Sequence, residues 1–338
     1  LVGPPIPLAD TQCTIPSWFP VNLYGGGGKV GQTSRLVSFL HATATADILA
    51  LGGGSIVTSR SSFRRPLMIA AQRIRNLRLA AVGISIGPFE GARDEQNAAN
   101  FLENFSYISV RDKRSYDCAL AMGLEDMVHS GRDLAGLIGL VLPNAATQKM
   151  RGLSCIGVSL CNYSEGAGYA APKKGTLSNA LATAISAWRA GTARVYILVL
   201  NEHSEKGDRE LSKNFQVCLA ARGVDAEIVS YRKLGLIETI NKMKECDAII
   251  SARLHGAIVA YMLGIPFAIV DYHSKCADFA DDVGLSDVQR ITASRSSAED
   301  LATTIDAILN RCSQPVLNRA IYARSEEHTS ELQSPCNL

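Results

Sequence analysis

The chain has 338 residues and an almost balanced charge, with 34 lysines and arginines against 32 aspartates and glutamates. Because domains commonly span roughly 100–200 residues, this length predicts about two domains. The net charge of +2 argues against a protein that holds nucleic acid through bulk electrostatics, and the 6% aromatic content argues against a stacking platform for single strands. The nine cysteines are scattered and never form Cys-x-x-Cys, which argues against a zinc knuckle or a disulfide framework.

The sequence contains no run of about 18 apolar residues and does not begin with a basic and then apolar secretory signal. We therefore expect a cytoplasmic protein without a transmembrane segment. The stretch from Arg324 to Ser334 resembles the in-frame translation of a sequencing-library adapter and has no hydrophobic period. Residues 324–338 are accordingly expected to be a non-native tail.

Short apolar runs alternate with helical segments along the rest of the chain, a pattern typical of βα units with parallel sheets buried on both faces. Residues 1–35 lack this pattern and are predicted to be an irregular, truncated N-terminal segment. Two α/β domains are predicted over residues 36–148 and 149–323, because a polar stretch from Pro143 to Gly152 separates them. The predicted fold is two doubly wound, Rossmann-like domains that face a cleft.

The predicted elements of each domain follow in chain order. In the first domain, strands are predicted over 47–51, 79–88, 107–110 and 127–129, and helices over 65–77, 95–103 and 114–122. In the second domain, strands are predicted over 155–160, 194–200, 226–231, 247–251 and 267–271, and helices over 177–190, 210–221, 236–246, 255–263, 276–283 and 298–310.

Polar residues that directly follow a predicted strand are the first candidates for a site, because ligands of open parallel sheets bind beyond the carboxyl ends of the strands. The densest group begins at Ser251. Arg253 presents a planar fork of donors that suits a carboxylate or a phosphate, and His255 lies at a helix start, where Gly256 would let a ligand approach. An arginine paired with an aspartate, beside a histidine that caps a helix, would produce the same pattern.

The next strand offers a second group of candidates. Tyr272 and Lys275 follow it and could close over the same anion, although a solvated helix cap at this position is an equally good interpretation. His203 follows the strand 194–200 and is a weaker candidate, since exposed polar loops after strands are common.

Two further candidate groups lie in the first domain. A glycine-rich segment follows the strand 47–51 and would let a backbone approach a phosphate or a sugar; it consists of Gly52, Gly53, Gly54 and Ser55. Arg111 and Asp112 end another strand and could hold an anion, or could equally form a helix cap and an ion pair. The sequence has neither dinucleotide nor P-loop fingerprint, no His-Glu-x-x-His and no Gly-x-Ser-x-Gly, so we expect no cofactor and no metal.

Taken together, these segments resemble the polysaccharide pyruvyl transferase family in order and rough spacing, over about residues 40–290. The most specific piece runs from Ser251 through the Arg253-Leu254-His255 motif to Gly284-Leu285. The other matching pieces are Asp47–Ser55, Gly83–Pro88 and Ser109–Tyr116. Each piece alone is weak, whereas the ordered set is strong.

The resemblance implies a fold similar to the two-domain glycosyltransferases of the B type (GT-B). It implies transfer of pyruvate from phosphoenolpyruvate to two hydroxyls of a sugar, in a polysaccharide or its lipid-linked precursor, with formation of a cyclic ketal and release of phosphate. A lipid-linked acceptor would bring the protein to a membrane surface.

The resemblance also assigns roles to residues. Arg253, Leu254 and His255 match the donor motif, with His255 as the proposed general acid and base and Arg253, helped by Lys275, as the donor-binding cation. Tyr272 and Gly256 complete the predicted donor site. Candidates for the cleft or the acceptor are Gly52, Gly53, Gly54, Ser55, Gly87, Pro88, Arg111, Asp112 and His203.

Two departures from the family and two rival interpretations remain. The Gly-Asp-rich first βα motif of the family is not found upstream of Gly52, and Leu160-Cys161-Asn162 stands where many relatives have a basic residue. A nucleotide-sugar glycosyltransferase of the same fold would use carboxylates such as Glu202 or Asp271 for the ribose. A two-domain protein that only binds a small anion is the second rival.

Overall fold

The structure is a computed structural model that describes residues 28–59, 64–138, 154–163, 172–188, 193–203, 207–312 and 314–323. The chain divides into two compact units, the first reaching Leu134 and the second beginning at Ala135. This division lies N-terminal to the boundary predicted from the sequence. Residues 139–153, which contain that predicted boundary, and the tail 324–338 lie outside the described residues.

The first unit is a parallel four-stranded sheet in the order β1-β2-β3-β4, flanked by helices. Its elements are α1 (Gly28–Thr45), β1 (Ile48–Val57), α2 (Arg64–Arg75), β2 (Arg78–Ile86), α3 (Ala92–Leu102), β3 (Tyr107–Val110), α4 (Lys113–Ala121) and β4 (Val128–Ser130). Every residue of β2 after Arg78 is buried, as expected for a central strand covered on both faces.

Helix α1 corrects the prediction that residues 1–35 are irregular, since it begins at Gly28. Its buried face carries small polar residues such as Ser34 and Ser38, so no apolar stripe of helical period is visible in the sequence. The buried Ser38 hydroxyl donates a hydrogen bond to the Ser34 carbonyl at 3.0 Å, within the helix. Residues 1–27 lie outside the described residues.

The glycine-rich segment of the first unit lies inside strand β1 and not after it, which corrects a second prediction. Gly52 and Gly54 pair with Val82 and Ile84 of β2. Gly53 and the neighbouring Gly83 both have a positive φ, +62° and +61°, so the two strands kink together at this point. The kink gives a structural reason for the glycine at position 53, and a contact of this segment with an acceptor stays a prediction.

The second unit is a parallel six-stranded sheet in the order β10-β9-β8-β5-β6-β7. Its elements are β5 (Ser154–Ser159), α5 (Lys174–Trp188), β6 (Ala193–Val199), α6 (Arg209–Ala220), β7 (Asp225–Ser230), α7 (Tyr231–Lys244), β8 (Ala248–Ser251), α8 (Leu254–Leu263), β9 (Phe267–Val270), α9 (Ser274–Asp282), β10 (Arg290–Ile291) and α10 (Ala298–Leu309). The five strands and six helices predicted for this domain are confirmed, with ends that differ by up to about five residues, and β10 was not predicted.

The strand order reverses at β5. From β5 the chain builds β6 and β7 toward one edge, and it then returns to place β8, β9 and β10 on the other side. The carboxyl ends of β5 and β8 therefore form the topological switch point, where the connecting loops part and leave room for a ligand.

A continuous apolar core surrounds this sheet. The central strands are fully buried at Ile156, Val158, Ile249 and Ile250. Among the described helices, none combines the length and the apolar character that a membrane span requires.

Replacing Ile156 with alanine is expected to lower the free energy of unfolding by about 2–5 kcal/mol, because the side chain is fully buried on the central strand and leaves a cavity. Val217→Ala is the control: Val217 is 68% exposed on α6, and its loss is expected to change the free energy by no more than about 0.5 kcal/mol. Urea unfolding followed by circular dichroism measures both variants. Equal midpoints for Ile156→Ala and the wild type would contradict the central placement of β5.

Candidate functional site

A tight turn joins β8 to α8 and presents the Arg253-Leu254-His255 motif at the switch point. Arg253 has an extended backbone (φ −95°, ψ 126°) and precedes the first helical residue, Leu254. Ser251 Oγ accepts a hydrogen bond from the Arg253 backbone N–H at 3.2 Å and donates to the Arg253 carbonyl at 2.7 Å. The hydroxyl thus fixes the backbone from which the motif projects.

Asp208 holds the guanidinium of Arg253. Arg253 Nε donates to Asp208 Oδ2 at 2.7 Å, and Nη2 donates to Oδ1 at 2.6 Å, which is a bidentate pair. The Asp208 side chain is fully buried, whereas that of Arg253 is 21% exposed. An arginine paired with an aspartate is the alternative that the sequence left open, and the structure shows this pairing.

The charge on Arg253 is secured by its surroundings. Burial alone would lower the pKa of the guanidinium, but the hydrogen bonds to Asp208 and the neighbouring groups outweigh it, so the pKa of Arg253 is raised. Asp208 uses two of the five N–H groups of the guanidinium, one on Nε and one on Nη2.

Tyr272 and Lys275 lie beside this arginine, at the start of α9. Tyr272 is buried and stacks on Tyr163, with ring centroids 4.7 Å apart and planes inclined by 18°. Lys275 Nζ lies 5.9 Å from the centroid of the Tyr272 ring. Burial, followed by the neighbouring thiols of Cys161 and Cys276, raises the pKa of the Tyr272 hydroxyl well above its usual value, so it stays protonated.

Cys161 follows β5 and lies among these residues. Burial raises the pKa of its thiol, against the lowering effects of a hydrogen bond with Tyr272 and of the positive charges of Arg253 and Lys275. The thiol is therefore neutral. Cys161 thus places an uncharged group beside Tyr272, within the electrostatic reach of Arg253 and Lys275.

The other residues of the motif have different environments. His255 is exposed and is the second residue of α8. Leu254 is 6% exposed and packs into the core, so it anchors the turn. His203 is exposed after β6, and its carbonyl accepts the Gly207 N–H at 2.9 Å.

Gly256 has a packing reason to be glycine. A Cβ at this position would lie 2.4 Å from Ser251 Oγ and 3.0 Å from Leu200 Cδ1. The missing side chain therefore lets α8 approach the end of β8 and the hydroxyl that fixes the motif. Its predicted contact with a donor stays a prediction.

In the first unit, Arg111 belongs to a buried polar network. Its Nη1 donates to Asp133 Oδ2 and its Nε to Ser85 Oγ, both at 2.7 Å, and its Nη2 reaches Ser55 Oγ at 3.5 Å. Asp112 caps α4 by accepting the Ser115 N–H at 2.8 Å. The helix cap and the ion pair, which the sequence left open, are what the structure shows.

The remaining candidates of the first unit follow the neighbouring strand. Gly87 has φ +75° and donates its N–H to the Val57 carbonyl at 2.8 Å, and the Gly87–Pro88 peptide is cis. Both residues lie just beyond the carboxyl end of β2. Their role toward an acceptor stays a prediction.

Sequence reasoning missed Asp208 and Tyr163. Asp208 directly precedes helix α6, so an aspartate at a helix start was a visible signal, but nothing in the sequence linked it to Arg253, 45 residues away. Tyr163 has no comparable signal. Within the described ranges, no three His, Cys, Asp or Glu side chains lie close enough together to hold a metal ion.

The two parallel-sheet α/β domains have the GT-B type of fold. Solved structures of that class are similar to this chain. They include a candidate UDP-N-acetylglucosamine 2-epimerase of Listeria monocytogenes (TM-score 0.54, 10% identity, 90% of this chain and 79% of that one). The UDP-GlcNAc 2-epimerase of Methanocaldococcus jannaschii has a TM-score of 0.52 and 13% identity, over 91% of this chain and 82% of that one. A glycosyltransferase of Rickettsia africae has a TM-score of 0.51 and 11% identity, over 89% of this chain and 83% of that one.

The chain belongs to the polysaccharide pyruvyl transferase family, whose profile matches residues 14–274. The resemblance seen in the sequence is thereby confirmed, and so is the fold that it implied. No curated protein matches the chain.

Gly256→Ala is expected to destabilise the protein by about 1–3 kcal/mol, because the new methyl group overlaps Ser251 Oγ. In the Ser251→Ala background that hydroxyl is absent, so Gly256→Ala is expected to cost less stability there than in the wild type. Gly175→Ala is the control, since nothing lies within 4 Å of its added Cβ. Thermal unfolding measures all variants; an equal cost of Gly256→Ala in both backgrounds would contradict the packing at this turn.

Proposed function

We propose that this protein transfers the pyruvyl group of phosphoenolpyruvate to two hydroxyls of a sugar, forming a cyclic ketal and releasing phosphate. Membership of the polysaccharide pyruvyl transferase family supports the reaction class. The observation that carries the donor assignment is the charged, bidentately held Arg253 at the switch point, next to Lys275 and the N-termini of α8 and α9. These are the groups that a molecule with a carboxylate and a phosphate requires.

The side chains of Arg253 and Lys275 and the N-termini of α8 and α9 bind the donor. Arg253 can direct its remaining N–H groups to two oxygens of one anion, whereas Lys275 supplies a point charge for the other. The N–H groups of the first turns of α8 and α9 add partial positive charge at the same edge of the sheet. The stacked rings of Tyr272 and Tyr163 form an apolar wall beside these groups.

His255 is the proposed proton carrier, because an imidazole exchanges protons near neutral pH and this one is exposed at the start of α8. Protonation of the methylene carbon of phosphoenolpyruvate leaves an oxocarbenium-like carbon. One sugar hydroxyl adds to that carbon and loses its proton, phosphate departs, and the second hydroxyl adds in the same way. The products are the ketal, now bearing a methyl group, and inorganic phosphate.

The acceptor class completes the proposal. A sugar unit of a polysaccharide, or of its lipid-linked precursor, supplies the two hydroxyls. A lipid-linked acceptor would place the protein at the cytoplasmic face of a membrane.

The position of Glu202 supports a second candidate function, that of a glycosyltransferase that uses a nucleotide sugar. It follows β6, and its Oε1 accepts a hydrogen bond from Ser230 Oγ at 2.9 Å, as a carboxylate poised for ribose hydroxyls would. Incubation with phosphoenolpyruvate and sugar acceptors separates the two candidates. Release of inorganic phosphate supports pyruvyl transfer, whereas release of a nucleoside diphosphate from a nucleotide sugar supports the alternative.

Arg253→Lys is expected to weaken phosphoenolpyruvate binding at least tenfold, because lysine keeps the charge but loses the bidentate fork. Arg194→Lys is the matched control: Arg194 also pairs with a carboxylate, that of Glu227 at 2.7 Å, but it lies at the start of β6, at the opposite edge of the sheet from the motif. Its dissociation constant is expected to stay within twofold of the wild type by titration calorimetry. Undiminished binding by Arg253→Lys would overturn the donor-site assignment.

His255→Gln is expected to lower kcat by about 10²–10⁴, the usual contribution of general acid–base catalysis, while the dissociation constant of phosphoenolpyruvate changes little. Phosphate release under saturating donor measures kcat, and calorimetry measures binding. His129→Gln serves as the control, since His129 stacks on Tyr107 in the first unit. Full turnover by His255→Gln would show that another group moves the proton.

A further inference from the structure

Asp208 is a buried carboxylate that joins three strand ends. Its two oxygens accept Arg253 Nε at 2.7 Å, Arg253 Nη2 at 2.6 Å and the backbone N–H of Asn162 at 2.8 Å. Arg253 follows β8 and Asn162 follows β5, whereas Asp208 itself belongs to the connection after β6. One side chain thus ties together the three loops that surround the switch point.

Helix capping does not explain this aspartate. Asp208 occupies the position before the first residue of α6, where an aspartate side chain normally accepts a backbone N–H of the first turn. Here it makes no such bond, and both oxygens are committed to Arg253 and Asn162. The carboxylate therefore serves the arginine and the β5 loop, not the helix.

The pair has an electrostatic cost for a site that takes anions. Asp208 cancels the charge of Arg253, so on Coulombic grounds alone it would weaken the binding of a carboxylate or a phosphate. What it supplies in return is geometry, because a guanidinium held along its Nε–Nη2 edge cannot turn and directs its Nη1 group in one orientation.

We propose that Asp208 is a positioning residue that sets the affinity for phosphoenolpyruvate by fixing the guanidinium of Arg253. This inference rests on the proposed function, and it names a group outside the donor motif on which that function depends. Orientation outweighs charge at this site: the loss of fixed geometry on removal of the carboxylate harms donor binding more than the gain of positive charge helps it.

Asp208→Asn tests the sign of this balance. The amide has nearly the same shape and still accepts one N–H, but it lacks the negative charge and directs an NH2 group at the guanidinium. We expect the dissociation constant of phosphoenolpyruvate to rise at least tenfold. A purely Coulombic role predicts the opposite, tighter binding, and that result would overturn the inference.

A double-mutant cycle separates positioning from general structural damage. In the Arg253→Lys background the fork is already lost, so adding Asp208→Asn is expected not to weaken binding any further. If the second substitution weakens binding by the same factor in both backgrounds, Asp208 does not act through Arg253. Glu227→Gln, which breaks the 2.7 Å pair with Arg194 between β6 and β7, is the control and is expected to leave donor binding unchanged.

Folding is checked for each variant by thermal unfolding, because a broken buried ion pair can be strongly destabilising. Where Asp208→Asn does not fold, Asp208→Glu takes its place in the cycle: it keeps the charge, displaces the carboxylate by one methylene and is expected to weaken binding at least fivefold. A wild type that neither binds phosphoenolpyruvate nor releases phosphate from it overturns the proposed function. If the wild type binds phosphoenolpyruvate and releases phosphate from it, and the Asp208 variants bind phosphoenolpyruvate equally well, only the role of Asp208 is overturned.

Discussion

In the second unit the chain lays down β5, β6 and β7 toward one edge of the sheet and then returns to place β8 on the other side of β5. Both faces of these strands are covered, so the carboxyl edge is where polar groups can collect without burying unpaired charge. The reversal parts the loops after β5 and β8 at this edge. Cys161 and Arg253 therefore come to one place although 92 residues separate them in the chain.

Close packing at the same edge determines which residues the motif can contain. Gly256 admits the Ser251 hydroxyl, that hydroxyl fixes the backbone of Arg253, and Leu254 seals the turn against the core. His255, the next residue, is exposed on the first turn of α8. Packing therefore constrains the motif as well as chemistry, because a side chain at Gly256 would displace the Ser251 hydroxyl that orients the Arg253 backbone.

The features of the fold and of the candidate site that the sequence predicts are those that depend on residues close together in the chain. Continuous apolar strands such as β6 and strand-following polar residues such as Arg253 are local signals, and the structure places them as predicted. The sequence did not predict the start of helix α1, because its buried face mixes small polar residues such as Ser34 and Ser38 with Phe39. The glycines of β1 were placed after the strand because their shared kink with β2 is a tertiary feature. Asp208 and Tyr163 meet the motif only through the strand order, which no local pattern encodes.

The charge balance of the proposed donor site follows from these contacts. Arg253 and Asp208 form an ion pair without net charge, Cys161 contributes a neutral thiol, and Lys275 brings a positive charge to the Tyr272 ring. A small molecule with several negative charges then depends on Lys275 and on the N–H groups that open α8 and α9, while the fixed fork of Arg253 supplies direction. Such a site selects an anion by the placement of its oxygens more than by its total charge, which suits a donor whose carboxylate and phosphate stand at a set distance.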